Sequence, residues 1–509
     1  VKSIISFFED EFKDDLKDWE HTLLKELKLP EIGNKSKKEM MSGAYWPTLS
    51  IQHNSIAHLS PSLSWKKAST TYFKIYPDIE LTLLEDLNAG VKNFFFMDSE
   101  LSAQNWQKIE NVLCQYHTPS ELEVFCLNKN IPKNNKLKVI NTLITGHEVH
   151  LLGGDVIHEL ATVAQKVIHS NDDELYVGVY LGTSFFQNIA KIRAVRLLCS
   201  KILQEKKSKV PFRVVALTSF EGWTLFERYS NILRNEASVA SAYIGGADHI
   251  QSTGYNTLFE TEVTLVPDDE HRERSMRMAR NTSHILALES MLGIVEDASH
   301  GSYHLENLTH YYSLESWNLM QRLEGGEDLS PEIIRTREKK LQMIKFRKKI
   351  FSGINDYPDA SERLGIELKP ASYFRAPRAF EELRLKMEKI NRPKVYVALF
   401  GDYAGLNARL NFTKNYFGLL GLEVIDSGTS DFDKEHFKLN LSKRDEEIVV
   451  LCSSDDDYPQ LKDITQVIKT KNRFVAGKYE IDTCKNIFSG QNIYDGLKEI
   501  LTTFGEQSK

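Results

Sequence analysis

Residues 175–217 read LYVGVYLGTSFFQNIAKIRAVRLLCSKILQEKKSKVPFRVVAL. Leu175 to Tyr180 and Phe212 to Leu217 are short runs rich in β-branched and aromatic residues. Between them, Phe185 to Gln204 spaces its apolar residues by three and four, as a helix does. Strand, helix, strand with short joins is the unit that pairs two parallel strands through a crossover. The alternation continues on both sides. Candidate strands are Asn93 to Phe96, Leu122 to Phe125 and Val139 to Leu143; candidate helices are Val156 to His169, Leu225 to Tyr243 and His271 to Glu289. Over Tyr45 to Leu323 this predicts an α/β fold with a parallel barrel of the (β/α)8 TIM type, a doubly wound open sheet being the alternative.

The rest of the chain falls around that block. Val1 to Leu29 places Ile4, Ile5, Phe8, Phe12, Leu16 and Trp19 on one face of a helix, which needs a surface to lie on, either its own body or a partner chain. Residues 330–391 are charged and mostly helical, with prolines near Lys369 to Pro377, and read as a connection. After Pro393 come a strand (Val395 to Phe400), a helix (Asn407 to Leu420), strands at Glu423 to Asp426 and Glu447 to Cys452, a helix at Leu461 to Thr470, a strand at Arg473 to Ala476 and a last helix at Tyr494 to Thr503. That is a small doubly wound domain of flavodoxin type, whose ligands would lie at the carboxyl ends of its strands. The expected domains are a helical arm (1–44), the barrel (45–329), a helical linker (330–391) and the C-terminal domain (392–509).

Bulk properties exclude several classes. The chain has 509 residues, a formal net charge of -7 and a sequence pI near 6.2. It has no general attraction for nucleic acid or an anionic membrane. The Lys runs at 35–38, 339–340 and 348–349 sit among acidic residues and read as solvated faces. No run of 18 apolar residues predicts a membrane span, and Val1 to Glu20 lacks a signal-peptide pattern. The five cysteines are odd in number and show no CxxC spacing, which fits reduced thiols in a cytoplasmic protein.

Individual constellations are weak. His147-Glu148-Val149-His150, with His158 further on, has HExH rather than the HExxH spacing that puts two ligands on one helical face. Following a strand, His147 and His150 are expected on opposite faces. Gly153-Gly154-Asp155 reads as a turn with Asp155 capping a helix, and Gly245-Gly246 as a helix C-cap. Ser219 and Ser252 have no GxSxG context and no identifiable His or Asp partner. Lys191, Arg193 and Arg196 read as the solvated basic stripe of an amphipathic helix.

Four ordered stretches resemble one family. Gly182 to Arg196 (GTSFFQNIAKIRAVR), Thr218 to Leu225 (TSFEGWTL), Met278 to Ser290 with its ARNT…ES pattern, and Asp297 to Glu306 (DASHGSYHLE) are similar to segments of methylmalonyl-CoA mutases. The likeness is good over 141–325, in pattern only over 392–505, and poor over the first 130 residues. It implies a coenzyme A thioester threaded through a (β/α)8 barrel and a flavodoxin-like, cobalamin-binding-type domain. That domain brings adenosylcobalamin to the barrel mouth, so that succinyl-CoA and methylmalonyl-CoA interconvert by radicals.

The sequence departs from the catalytic pattern in three places. The family's D-x-H-x-x-G loop, whose His ligates cobalt, corresponds to Gly401-Asp402-Tyr403-Ala404-Gly405, and no histidine occurs between His310 and His436. The family's later S-x-L and G-G elements are also missing, with acidic Ser453 to Asp457 in their place. A Tyr-His pair after the family's SISG strand is replaced by His147-Glu148, and a carboxylate beside a substrate carbonyl would repel it. The N-terminal RGYDSDHP loop has no counterpart in Ser50 to Ser64. The resemblance therefore points to the small, non-catalytic subunit, paired with a catalytic large subunit that holds the adenosylcobalamin. His147 and Glu148 are then degenerate catalytic positions and Gly401, Tyr403 and Gly405 a degenerate cofactor loop, with no cofactor or metal held by this chain. The alternatives are a self-sufficient acyl-CoA mutase, or a barrel hydrolase with a metal on His147, His150 and His158.

Overall fold

The computed structural model describes residue 25, the backbone of 37–39, 45–47 and 68–73, and residues 79–96, 103–115, 122–126, 137–264, 269–295, 297–390 and 392–506. The helix expected over Val1 to Leu29 and the segment Ser50 to Ser64 lie outside the described residues. The chain divides into two compact units. One comprises 1–218, 237–252 and 280–336; the other comprises 219–236, 253–279 and 337–509. Both are α/β and both are built on parallel sheets.

In the first unit, β1 (Lys37–Glu39) and β2 (Tyr45–Pro47) form an antiparallel pair. The main sheet holds β3 (Ala68–Phe73), β4 (Asn93–Phe96), β5 (Glu123–Cys126), β6 (Lys138–Ile140), β7 (Ile144–Thr145), β8 (Leu175–Leu181), β9 (Phe212–Thr218) and β10 (His249–Ser252). Its hydrogen-bonded order is β6-β5-β4-β3-β10-β9-β8-β7 and every pair is parallel. The two outermost strands, β6 and β7, are joined by residues 141–143 alone. Four peptide steps span at most about 14 Å. An open sheet of eight strands would hold its edges about 34 Å apart. The sheet is therefore curled so that its two edge strands lie near each other, and the strand expected at Val139 to Leu143 is confined to Lys138–Ile140.

Side chains alternate across that sheet. Val177, Val179 and Leu181 of β8 and Val214 and Ala216 of β9 pack with apolar residues of helices Val156–His169, Phe185–Glu205 and Tyr303–Glu324. The opposite, concave face carries Phe95, Phe125, Ile140, Tyr176, Tyr180, Val215 and Leu217 as a second core. Phe95 and Phe125 are register partners, with ring centroids 5.5 Å apart. Gly178 lies among them, and a Cβ there would stand 2.8 Å from Thr145 Cγ2. At the amino ends of the strands the same face turns polar. Lys138 Nζ lies 3.0 Å from both Glu123 and Glu174. Strand β8 is buried at all seven positions, which is why it reads as an almost unbroken apolar run.

In the second unit, β11 (Val395–Leu399), β12 (Val424–Asp426), β13 (Ile448–Cys452), β14 (Asn472–Ala476) and β15 (Lys485–Ile487) form a parallel sheet in the order β12-β11-β13-β14-β15. Val395, Val397 and Leu399 face helices Tyr403–Gly418 and Ile493–Glu506, while Tyr396, Ala398 and Phe400 face helix Lys434–Ser442 and the turns after β13. Helices thus cover both faces of the sheet.

Three expected elements are corrected. Leu461 to Thr470 is not an α-helix but two 3-10 turns, Tyr458–Leu461 and Ile464–Val467. Pro459 removes a donor at the first turn and Ile464, Thr465, Val467 and Ile468 are β-branched. The helix expected from Leu225 starts only at Ser230. Before it, Glu227 has a φ of 49° and its N–H donates to the Glu362 carboxylate. The helix after β11 starts four residues early, at Tyr403, because Asp402 accepts the N–H groups of Ala404 and Gly405 as N-cap.

Candidate functional site

The first place the sequence marks is the turn after β7. Gly146 opens helix His147–Leu152, and a Cβ at 146 would stand 2.8 Å from Glu159 Cγ and 2.9 Å from the Glu159 carbonyl oxygen. Only glycine lets the chain turn there. His147 and His150 lie on a helix, not on opposite faces of a strand, so three residues bring both rings to one side. Both meet Tyr180 at the carboxyl end of β8. His147 Nδ1 is 2.6 Å from the Tyr180 hydroxyl, and the His150 ring stacks on the Tyr180 ring at 4.2 Å with planes 3° apart.

The electrostatics fix the protonation of this pair. Burial pushes the Tyr180 phenol far above its usual range, and the charges of Glu159 and Glu148 push it further. Burial lowers the His147 imidazole, with Glu148 opposing and Lys166 adding to the effect. A neutral phenol therefore shares this hydrogen bond with a neutral imidazole. Glu148 turns outward, where Lys166 Nζ lies 2.6 Å from it. Its carboxylate is taken by that ammonium.

Beneath Tyr180 lies a buried ion pair that the sequence reading missed. Lys191 Nζ is 2.6 Å from Glu159 Oε2 and donates to the Tyr180 carbonyl at 2.6 Å, while Glu159 Oε1 accepts the Tyr180 N–H at 2.8 Å. Lys191, Arg193 and Arg196, expected as a solvated stripe, are 4%, 1% and 6% exposed. Each is met by carboxylates: Glu159 for Lys191, Asp297 and Glu306 for Arg193, Asp248 for Arg196. Steps of two and three residues do not hold one helical face, and that spacing was the available signal. His158 sits apart, with Nδ1 2.6 Å from Asp155, the N-cap of its own helix. Among the described residues no group of three His, Cys, Asp or Glu side chains is placed to hold a metal ion.

The second place is the carboxyl end of β11. Gly401 has a φ of +106°, and a Cβ there would stand 2.7 Å from Asp457 Oδ2. Tyr403 is part-exposed at the helix start and Gly405 donates its N–H to Asp402. Around them the strand ends are laced together. Ser453 Oγ donates to the Phe400 carbonyl at 2.7 Å, and Arg409 binds the Ser453 carbonyl at 2.6 Å and Asp455 at 2.8 Å. The buried Tyr458 hydroxyl accepts the Ser453 N–H and lies 2.8 Å from the Ala476 carbonyl. A corrin would need this space and an imidazole beneath it. The residues present do not fit that group.

The family described as methylmalonyl-CoA mutase matches residues 173–393. A protein of Porphyromonas gingivalis named methylmalonyl-CoA mutase small subunit is 31% identical over 310 residues, 55% of this chain and 48% of the relative. A small subunit of Propionibacterium freudenreichii subsp. shermanii is 27% identical over 360 residues, 63% of this chain and 54% of the relative. A methylmalonyl-CoA mutase of Rhizobium meliloti is 30% identical over 214 residues, 39% of this chain and 28% of the relative. The chain spans about half the length of the small subunits it matches.

Proposed function

We propose that this chain, which matches the family described as methylmalonyl-CoA mutase over residues 173–393, is the small, non-catalytic subunit of a heterodimeric methylmalonyl-CoA mutase. Its task is then to support the fold and assembly of a large subunit that binds adenosylcobalamin and interconverts succinyl-CoA and methylmalonyl-CoA. In this reading the rolled sheet is a (β/α)8-type barrel within residues 45–329. Residues 392–509 are a flavodoxin-like domain of cobalamin-binding type without its cofactor, joined through the helical segment 330–391.

The observation that carries the reading is the concave face of the rolled sheet. Phe95, Phe125, Ile140, Tyr176, Tyr180 and Leu217 are each 8% exposed or less and pack on one another. Such packing, among the described residues, speaks against an extended coenzyme A thioester along this face. The residues that would do chemistry are also committed elsewhere. Tyr180 is closed on His147, Glu148 on Lys166, and the loop at Gly401, Tyr403 and Gly405 has no cobalt ligand. Among the described residues this reading assigns no catalytic, cofactor or metal role, and takes His147, Glu148 and that loop as remnants.

The cytoplasm is the compartment this reading implies. Cys199 and Cys452 are buried thiols pushed up to about 12 by desolvation, Arg196 and Arg409 opposing. Among the described residues no helix is long and apolar enough to cross a membrane.

The test is spectroscopic. The purified chain, titrated with adenosylcobalamin, should leave the cofactor's base-on spectrum unchanged at equimolar concentration. Tight binding with a base-off spectrum would overturn the assignment.

A further inference from the structure

We propose that the second unit binds a small oxyanion, of phosphate or sulfate type, among Arg363, Arg384 and Arg392 at the amino ends of β11 and β12. This goes beyond the subunit assignment and does not rest on it. The place lies at the opposite end of the strands from the loop at Gly401.

Three guanidinium groups converge on one glycine. Gly421, in the turn before β12, has a φ of +69°, and a Cβ there would stand 2.9 Å from Arg392 Nη1 and 3.3 Å from Arg384 Nε. Arg392 Nη1 donates to the Gly421 carbonyl at 2.8 Å, and Arg363 Nη2 donates to the same oxygen at 3.4 Å. Three cations gathered on one residue repel one another unless an anion lies among them. The nearby carboxylates are committed to main-chain N–H groups. Glu388 Oε2 accepts from Leu364 and Gly365, Glu362 from Glu227, and Asp359 from Ser361. Glu388 Oε1 stands 3.3 Å from Arg392 Nη2, yet neither atom makes a hydrogen bond.

Arg384 forms the floor. It is 2% exposed, and its guanidinium lies 3.9 Å from the centre of the Phe226 ring. Its Nη2 donates to the carbonyls of Asp359 and Glu362, but its Nε and Nη1 have no acceptor. A buried charged donor left without an acceptor is costly, so two on one side chain mark a missing partner. Arg363 is exposed and forms the mouth. The missing partner is anionic because it meets three cations. It carries several acceptor oxygens because the open donors sit on separate nitrogens, and it is small because those nitrogens are closed off from solvent.

The probe is inorganic phosphate, titrated into the purified full chain by isothermal titration calorimetry, with sulfate and chloride as separate arms at matched ionic strength. Phosphate and sulfate should each saturate one site per chain, and chloride should bind at least about tenfold more weakly. Arg363→Gln removes a cation at an exposed position. Arg384→Lys keeps the charge but removes the open Nε and Nη1 donors. Each should weaken phosphate by about tenfold. Arg363→Gln should keep the parent's circular dichroism and melting temperature, so its result stands whether or not the buried variant folds. Absence of saturable phosphate binding, chloride binding as tightly as phosphate, or unchanged phosphate binding in Arg363→Gln would each overturn the proposal.

Discussion

The two parallel sheets of this molecule treat the space at their centres differently. In the first unit the concave face of a rolled sheet is filled with aromatic and aliphatic side chains, and even Gly178 has no room for a Cβ. In the second unit the five-stranded sheet is sealed at β11 and β13 by Ser453, Tyr458 and Arg409, yet leaves about 590 Å³ open at β14 and β15. A parallel fold does not by itself make a site. What matters is whether the residues at the strand ends bond to one another or face a void. The first unit has spent its interior on stability; the second has kept a lined cavity.

Substitutions can break that contrast. The largest effect is expected from Phe125→Ala, because a packed interior loses both transfer energy and contacts to the cavity left behind. About 3–5 kcal/mol should be lost in urea unfolding. A near-neutral result would mean that the face borders a channel. Lys191→Met should come next. It strands the Glu159 carboxylate in a site where both partners are about 4% exposed, at a cost of about 3 kcal/mol, and Glu159→Gln in the same chain should recover part of the loss.

His249 gives a pH test of the same interior. His249 is 2% exposed, both its nitrogens lack hydrogen-bond partners, and its ring lies beside those of Phe125 and Tyr176. Burial lowers its pKa below 6.5; Glu123 and Asp248 oppose this, and Arg213 and Lys138 add to it. The folded state thus disfavours the imidazolium more than the unfolded state does. The stability this represents is present above pH 6.5 and is lost as pH falls through the lowered folded value. Urea midpoints for the parent should drop over that interval, and His249→Gln should flatten the drop. The smallest effect belongs to the second unit. Ala408→Trp should change thermal stability by no more than about 0.5 kcal/mol, since it fills an open cavity from an exposed position.

Much of this was legible in sequence where periodicity and local chemistry agree. Helix Val156–His169 has its bounds written by Asp155 in front and a regular apolar face behind. Strands β4, β8 and β9 lie where their apolar runs are. What escaped was set by distant partners. Lys191 looks solvated until Glu159, 32 residues away, is brought beneath it. The four-residue strand His249–Ser252 carries too few apolar positions to show a period, and it is a strand because parallel partners lie on both sides. His147 and His150, expected on opposite faces of a strand, lie on one helical turn, because the chain at Gly146 makes a close approach to Glu159. The sealing of the β11 end depends on Tyr458, whose role no local pattern announces.

On the proposed function, the chemistry belongs to a partner. The most direct measurement is succinyl-CoA isomerisation by the purified chain with saturating adenosylcobalamin, alone and after mixing with a catalytic methylmalonyl-CoA mutase large subunit. The chain alone should form no methylmalonyl-CoA, and the mixture should show activity together with a stable complex. Turnover by the chain alone would contradict it.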